Sequence, residues 1–285
     1  MKDHQRFFVH HHHRLAYKDE GKGDVIIFVH GTPSSSDEFS QIIQSLKSEY
    51  RCISLDLLGF GNSDKPLDAD YSLNAHRQRL SALIRFLELK KYHLALTDFG
   101  GPIALPLAIE NWDRVQSLIL FNTWAWPLTE TQPQLIKLRS FMLSRLMKYL
   151  YLNWNFSAKV LMKKAWGTYR RLSKARHQHY QKYLHKKTDR NGTWSFVTSL
   201  FSEDEVAWKA GQTLARMQGK PVQIFWGMSD PMIKPVNLKK WKEIFPQAKI
   251  ESFSHVGHFV AEEAAELVHP QMKTFLKSTN EKHPL

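Results

Sequence analysis

Residues 93–110 read HLALTDFGGPIALPLAIE, and the division of this stretch decides the fold. His93 to Leu96 reads as a short buried strand, and the apolar residues after Gly100 and Gly101 read as a helix ending near Asn111. The two glycines let the chain reverse sharply between them, which lifts Asp98 to the top of the turn. Strand, tight turn and packed helix form the unit from which parallel sheets are built.

The same grammar extends in both directions. Upstream, Val25 to Val29 is a continuous apolar run and Cys52 to Leu55 a second, as expected of strands buried on both faces. Ser35 to Glu38 reads as a capping box ahead of Phe39, Ile42, Ile43 and Leu46 at helical spacing. A helix after Ser72 carries Leu80, Leu83, Ile84 and Leu87 on one face. Downstream, Val115 to Phe121, Val222 to Trp226 and Lys249 to Phe253 read as strands, with helices near 236–244 and 259–276. The expectation is an α/β chain with a mostly parallel, doubly wound sheet. A helical cap is inserted after the fourth of these strands. The expected core covers residues 1–128 and 212–285, and the expected cap covers 129–211.

Composition narrows the class. A chain of 285 residues with 42% hydrophobic residues and nine Trp can bury one large domain plus an insertion. A single cysteine, Cys52, excludes a disulfide framework. The start MKDHQRFFV lacks the apolar stretch of a signal peptide, and no run of eighteen apolar residues occurs. The expected location is therefore cytoplasmic. His10 to His13 read as a chance run on an N-terminal strand rather than a metal site.

The net charge of +13 is concentrated. Gln134 to Arg190 holds fifteen Lys or Arg and one acid, Asp189, a local +14 that leaves −1 for the rest. No nucleic-acid-binding signature accompanies it, so no nucleic-acid partner is expected. The preferred reading is a helical subdomain with a solvated basic face, a membrane-surface contact being the lesser alternative. Oligomeric state is left open.

In sheets of this kind the functional residues lie beyond the carboxyl ends of the strands. Those positions hold HGTP at 30–33, DLLGFGNSDKP at 56–66, TDFGG at 97–101, NTWAWP at 122–127, GMSDP at 227–231 and SHVGHF at 254–259. A lone loop aspartate usually caps a helix. Asp98 is not alone, because Asp230 and His258 follow at later strand ends in the order nucleophile, acid, histidine. An anionic nucleophile at a helix N-terminus needs no base for its first step.

These motifs resemble the α/β-hydrolase fold of the haloalkane dehalogenase type, and more distantly the epoxide hydrolases, over roughly 14–127 and 220–277. Leu96 stands two places before the nucleophile where serine esterases of this fold carry a small residue, which also counts against Thr97. The resemblance implies a small apolar substrate, water, and no metal or organic cofactor. It implies Asp98 as nucleophile, His258 as base, Asp230 as its partner, and the backbone N–H groups of Thr32 and Phe99 as the oxyanion hole. Two places where dehalogenases keep side-chain N–H donors for the halide hold Phe99 and Thr32. Trp124 or Trp126 either replaces a donor or lines the cavity. Epoxide hydrolases use cap tyrosines, and Tyr149, Tyr151, Tyr169, Tyr180 and Tyr183 all lie in the expected cap. The open readings are a dehalogenase-like hydrolase, an epoxide or related hydrolase, and a non-catalytic interaction protein.

Overall fold

The computed structural model describes residues 5–201 and 210–280. Residues 202–209 of the expected cap lie outside the described residues. Eight strands form one sheet in the order β1-β2-β4-β3-β5-β6-β7-β8. They are β1 Gln5–His10, β2 His13–Glu20, β3 Asp24–Val29, β4 Tyr50–Leu55, β5 Tyr92–Asp98, β6 Val115–Thr123, β7 Val222–Gly227 and β8 Lys249–Phe253. The first two pair antiparallel, β2 joins β4 antiparallel, and every later neighbour is parallel. The alternating pattern predicts this mostly parallel sheet, and the α/β-hydrolase arrangement is the one that the resemblance of the motifs implies.

All seven residues of β5 are buried, because helices cover both faces. Labelled in chain order, α1 Ser40–Leu46 and α12 Ala265–Asn280 pack on one side. On the other side lie α2 Leu73–Phe86, α3 Gly100–Glu110 and α10 Val236–Ile244. The expected face of α2 is the buried one, and Ser72 Oγ caps it by accepting from the Ala75 amide at 3.2 Å.

Two local expectations are corrected. The histidine run does not lie along one strand. His10 and His13 pair at the ends of β1 and β2, while His11 and His12 form the turn with φ of 45° and 69°. The Ser35 capping box does not close. Ser35 Oγ accepts from the Asp37 amide at 3.3 Å, but the Glu38 carboxyl is turned inward with Oε1 buried and unpartnered. The segment therefore starts as a 3-10 turn, Ser36–Phe39, before α1.

Between β6 and β7 the insertion contributes α4 Leu128–Thr131, α5 Gln134–Met142, α6 Arg145–Trp154, α7 Met162–Ala165, α8 Lys174–Lys182 and α9 Asn191–Ser199. It is tied to loops at the carboxyl ends of β3, β4 and β8. On α8, His179 Nε2 lies 2.6 Å from Asp37 Oδ2, and the Arg176 guanidinium and the Tyr180 hydroxyl both bond Glu262. From α9, the Phe196 ring stacks between Phe60 and Phe99, with centroids at 5.1 and 4.4 Å. Thirteen of the fifteen basic residues from Gln134 to Arg190 are exposed, while Arg176 and Arg190 turn inward. Among the described residues, no helix is long and apolar enough to cross a membrane.

Candidate active site

Asp98 ends β5 with φ of 48°, a left-handed backbone that non-glycine residues adopt only under constraint. The constraint is visible on three sides. Thr123 Oγ1 donates to the Asp98 carbonyl at 2.6 Å. The Thr32 amide donates to Asp98 Oδ2 at 2.7 Å. Gly31 and Gly100 leave no room for a side chain, since a Cβ at Gly31 would overlap the Asp98 carboxylate and one at Gly100 the Val29 carbonyl.

The turn carrying Thr32 is itself locked by the buried His30. Its Nε2 accepts from the Leu57 amide at 3.0 Å, so Nδ1 carries the proton donated to the Gly31 carbonyl at 2.7 Å. The glycine-rich motif after β4 is structural in the same sense. Asp56 accepts from the Ser36 and Asn62 amides at 2.8 Å each, and Gly61 (φ 49°) sits where a Cβ would strike that carboxylate.

His258 and Asp230 converge on Asp98 as the motif order required. His258 Nδ1 donates to Asp230 Oδ2 at 2.7 Å, and Nε2 faces Asp98 Oδ1 at 3.7 Å. All three are buried, at 4%, 4% and 6% exposure for His258, Asp230 and Asp98. Burial works against the imidazolium. The carboxylates of Asp230 and Asp98 outweigh it and hold the His258 pKa well above the usual histidine range.

Asp230 is fixed by more donors than its histidine. Its Oδ1 accepts from the Met232 and Ile233 amides at 2.7 and 3.1 Å. Its Oδ2 also accepts from Asn122 Nδ2 at 2.8 Å. Asn122, the penultimate residue of β6, has φ 24° and clamps both the Gly227 amide and carbonyl, at 2.8 and 3.0 Å. Sequence reasoning missed this role. The one available signal was an asparagine at a strand end, a residue that tolerates positive φ.

Glu263 was missed too. Its buried carboxyl, pushed up to about 7 by burial, accepts the amides of Gly257 and Phe259 on either side of His258, at 3.0 and 3.2 Å. It also accepts from Gly167 of the insertion at 2.8 Å, and the His258 amide donates to the Ala165 carbonyl at 2.8 Å. The histidine loop is therefore hydrogen-bonded to the segment after α7.

The remaining expected residues separate. Phe99 caps α3, and its ring packs edge-on to Trp124 at 4.9 Å. Among the described residues, the fully buried Trp124 finds no partner for Nε1, and the buried Thr32 Oγ1 likewise finds none. Trp126 differs, because its Nε1 donates to Asn237 Oδ1 at 2.9 Å and its ring packs on Trp241. Its donor is committed to the fold. Among the insertion tyrosines, Tyr169, Tyr180 and Tyr183 bond Glu266, Glu262 and Asp37 through their hydroxyls, and Tyr149 is exposed. Tyr151 on α6 is buried, and burial followed by the nearby Asp98 charge drives its pKa upward.

Comparison with known proteins identifies the family and the fold. The model of the α/β hydrolase fold family matches residues 24–265. "Haloalkane dehalogenase 2" of Mycobacterium tuberculosis (strain ATCC 25618 / H37Rv) is 30% identical over 268 residues, covering 92% of this chain and 91% of that protein. "Cis-3-alkyl-4-alkyloxetan-2-one decarboxylase" of Shewanella oneidensis is 28% identical, covering 96% and 89%. The fold matches the crystal structure of haloalkane dehalogenase DbeA from Bradyrhizobium elkani USDA94 with a TM-score of 0.87 at 20% identity, over 98% of this chain and 99% of that one. The chain belongs to the α/β-hydrolase-fold family and, within it, is a haloalkane dehalogenase-like enzyme.

Proposed function

We propose that the protein hydrolyses a small apolar haloalkane through an ester on Asp98, with the insertion acting as a cap over the site. The observation that supports this reading is the Asp98, His258 and Asp230 arrangement with the Thr32 amide on the attacking carboxylate. An Asp98 oxygen attacks the halogen-bearing carbon from the side opposite the halogen. The carbon–halogen electron pair leaves as halide, and an alkyl ester forms. Esterification removes the Asp98 charge, and with it one of the two carboxylates that hold His258 protonated, so the imidazolium gives up its proton to solvent. The imidazole then takes a proton from water, and the hydroxide attacks the ester carbonyl. The tetrahedral oxyanion is held by the Thr32 amide and, on this reading, by the Phe99 amide. Collapse releases the alcohol and restores the carboxylate. Trp124 Nε1 and Thr32 Oγ1, both buried and unpartnered, are the candidate donors for the departing halide.

A second reading is favoured by Tyr151. Its hydroxyl is buried, stays protonated and lies within the electrostatic reach of Asp98. That suits delivery of a proton to the oxygen of a strained ring, as in an epoxide. The relatives named for an oxetan-2-one, a strained ring ester, point to the same bond type.

Trapping tests both. In a His258→Gln variant, a terminal bromoalkane should add one alkyl group to the peptide carrying Asp98, and turnover should stop. Asp98→Ala should show neither. An adduct with an epoxide but none with haloalkanes promotes the second reading. No adduct with either class overturns the ester mechanism.

A further inference from the structure

Two consecutive helices of the insertion present a surface that neither the fold nor the site uses. On α5 no residue is buried, and Ile136, Leu138 and Phe141 are 60%, 46% and 56% exposed. On α6, Leu146, Tyr149 and Trp154 are 58%, 54% and 64% exposed. Isolated exposed apolar residues are ordinary, but six within nineteen consecutive positions are not. Lys137, Arg139, Arg145 and Lys148 are interleaved with them and exposed. No acid occurs from Gln134 to Thr188.

We propose that α5 and α6 dock this protein on an anionic lipid bilayer. A surface of Lys and Arg with no acid is complementary to anionic headgroups. The aliphatic Ile136, Leu138 and Leu146 gain nothing from a phosphate backbone in water, yet gain apolar surroundings at the acyl boundary. Tyr149 and Trp154 are the residue types that settle at headgroup level. A bare polyanion explains the cations alone, and a second copy of the chain explains the apolar residues alone. A lipid surface explains both. The inner face of α6 carries Met147 and Tyr151 into the insertion, with Tyr151 near the Asp98 charge, so the same helix would join the bilayer to the surroundings of Asp98. Delivery of an apolar substrate from lipid rests on the proposed chemistry, whereas the docking does not.

The test is flotation of the full chain, without substrate, with vesicles of phosphatidylcholine alone or mixed equally with phosphatidylglycerol. Binding is expected on the mixed vesicles and at least tenfold weaker on the neutral ones. Each basic residue near the surface contributes about 1 kcal/mol, or about fivefold in partitioning. Replacing Lys137, Arg139, Arg145 and Lys148 together by Gln should thus weaken binding by about 600-fold, and raising salt to 1 M should weaken wild type. Ile136→Ser with Phe141→Ser should weaken binding at low salt while leaving charge unchanged. Failure of the wild-type chain to float with anionic vesicles overturns the proposal. So does binding to a DNA oligonucleotide that survives the Ser substitutions in a chain that ignores vesicles. Dimerisation abolished by Phe141→Ser, without vesicle binding, assigns the face to a second copy and overturns it equally. Because these readouts use no substrate, they stand apart from any failure of the Asp98 trapping experiment.

Discussion

Replacing Glu38 by Gln should make the protein more stable, and by an amount that depends on pH. Glu38 is 2% exposed and its Oε1 has no partner. Burial, opposed by Ser34 and His258, raises its pKa from 4.5 to about 7. In the folded state the carboxyl therefore prefers to stay protonated. A raised pKa contributes stability that is fully present below 4.5 and is lost as pH rises through about 7. At about 1.4 kcal/mol per pH unit, the raised pKa of Glu38 costs the fold about 3.5 kcal/mol at pH 8 and about 1 kcal/mol at pH 5. Glutamine keeps the shape and never ionises. Any cost of its extra N–H groups is the same at both pH values and cancels in the difference. Urea unfolding of wild type and Glu38→Gln at the two pH values should show a relative gain for the variant of about 2.5 kcal/mol between pH 5 and pH 8. A stability difference that stays constant within about 0.5 kcal/mol across that range would refute a buried, reluctantly ionised Glu38.

Further outcomes follow from the site. Tyr151→Phe should slow opening of a strained C–O ring by about two to four orders of magnitude and leave halide release from a bromoalkane nearly unchanged, as read from the two kcat/KM ratios. Gly31→Ala forces a methyl into the Asp98 carboxylate. The yield of Asp98 ester in a His258→Gln background, normalised to folded protein, should fall by about 100-fold. Asp98→Asn removes one of the two carboxylates that raise the His258 pKa. An NMR titration of His258 should then show its pKa moving down, and an upward shift would contradict the account of how the ester step releases the base.

The sheet and the three central residues were readable because their signals are local. A fully buried parallel strand such as β5 reads as an apolar run, and Asp98, Asp230 and His258 each sit at or shortly after the carboxyl end of a strand. Asn122 and Glu263 were not readable, because their roles exist only across the fold. Asn122 meets Asp230 across 108 positions, and Glu263 meets Gly167 across 96. The two tryptophans after β6 show the same limit. Separated by one residue in the motif and identical in type, they differ because Asn237, 111 positions from Trp126, occupies one indole N–H. The turn at His11 and His12 was hidden for the opposite reason. It adopts two positive φ values without the Asn or Gly that announces such turns.

The bonds from Ala165 and Gly167 to the histidine loop bear on how this enzyme can be re-engineered. An insertion of this size invites grafting, with the insertion exchanged for that of a relative and the core left intact. Here the graft boundary cannot run through the middle of the insertion. The segment from Ala165 to Tyr169 supplies an acceptor to the His258 amide and takes up the His255 carbonyl and the Glu263 carboxyl. Gly167 and Gly257 approach so closely that neither tolerates a side chain. A chimera that imports foreign helices should keep residues 165–169 together with 255–263 from one parent. Otherwise it will alter the set of His258 while appearing to alter only the insertion.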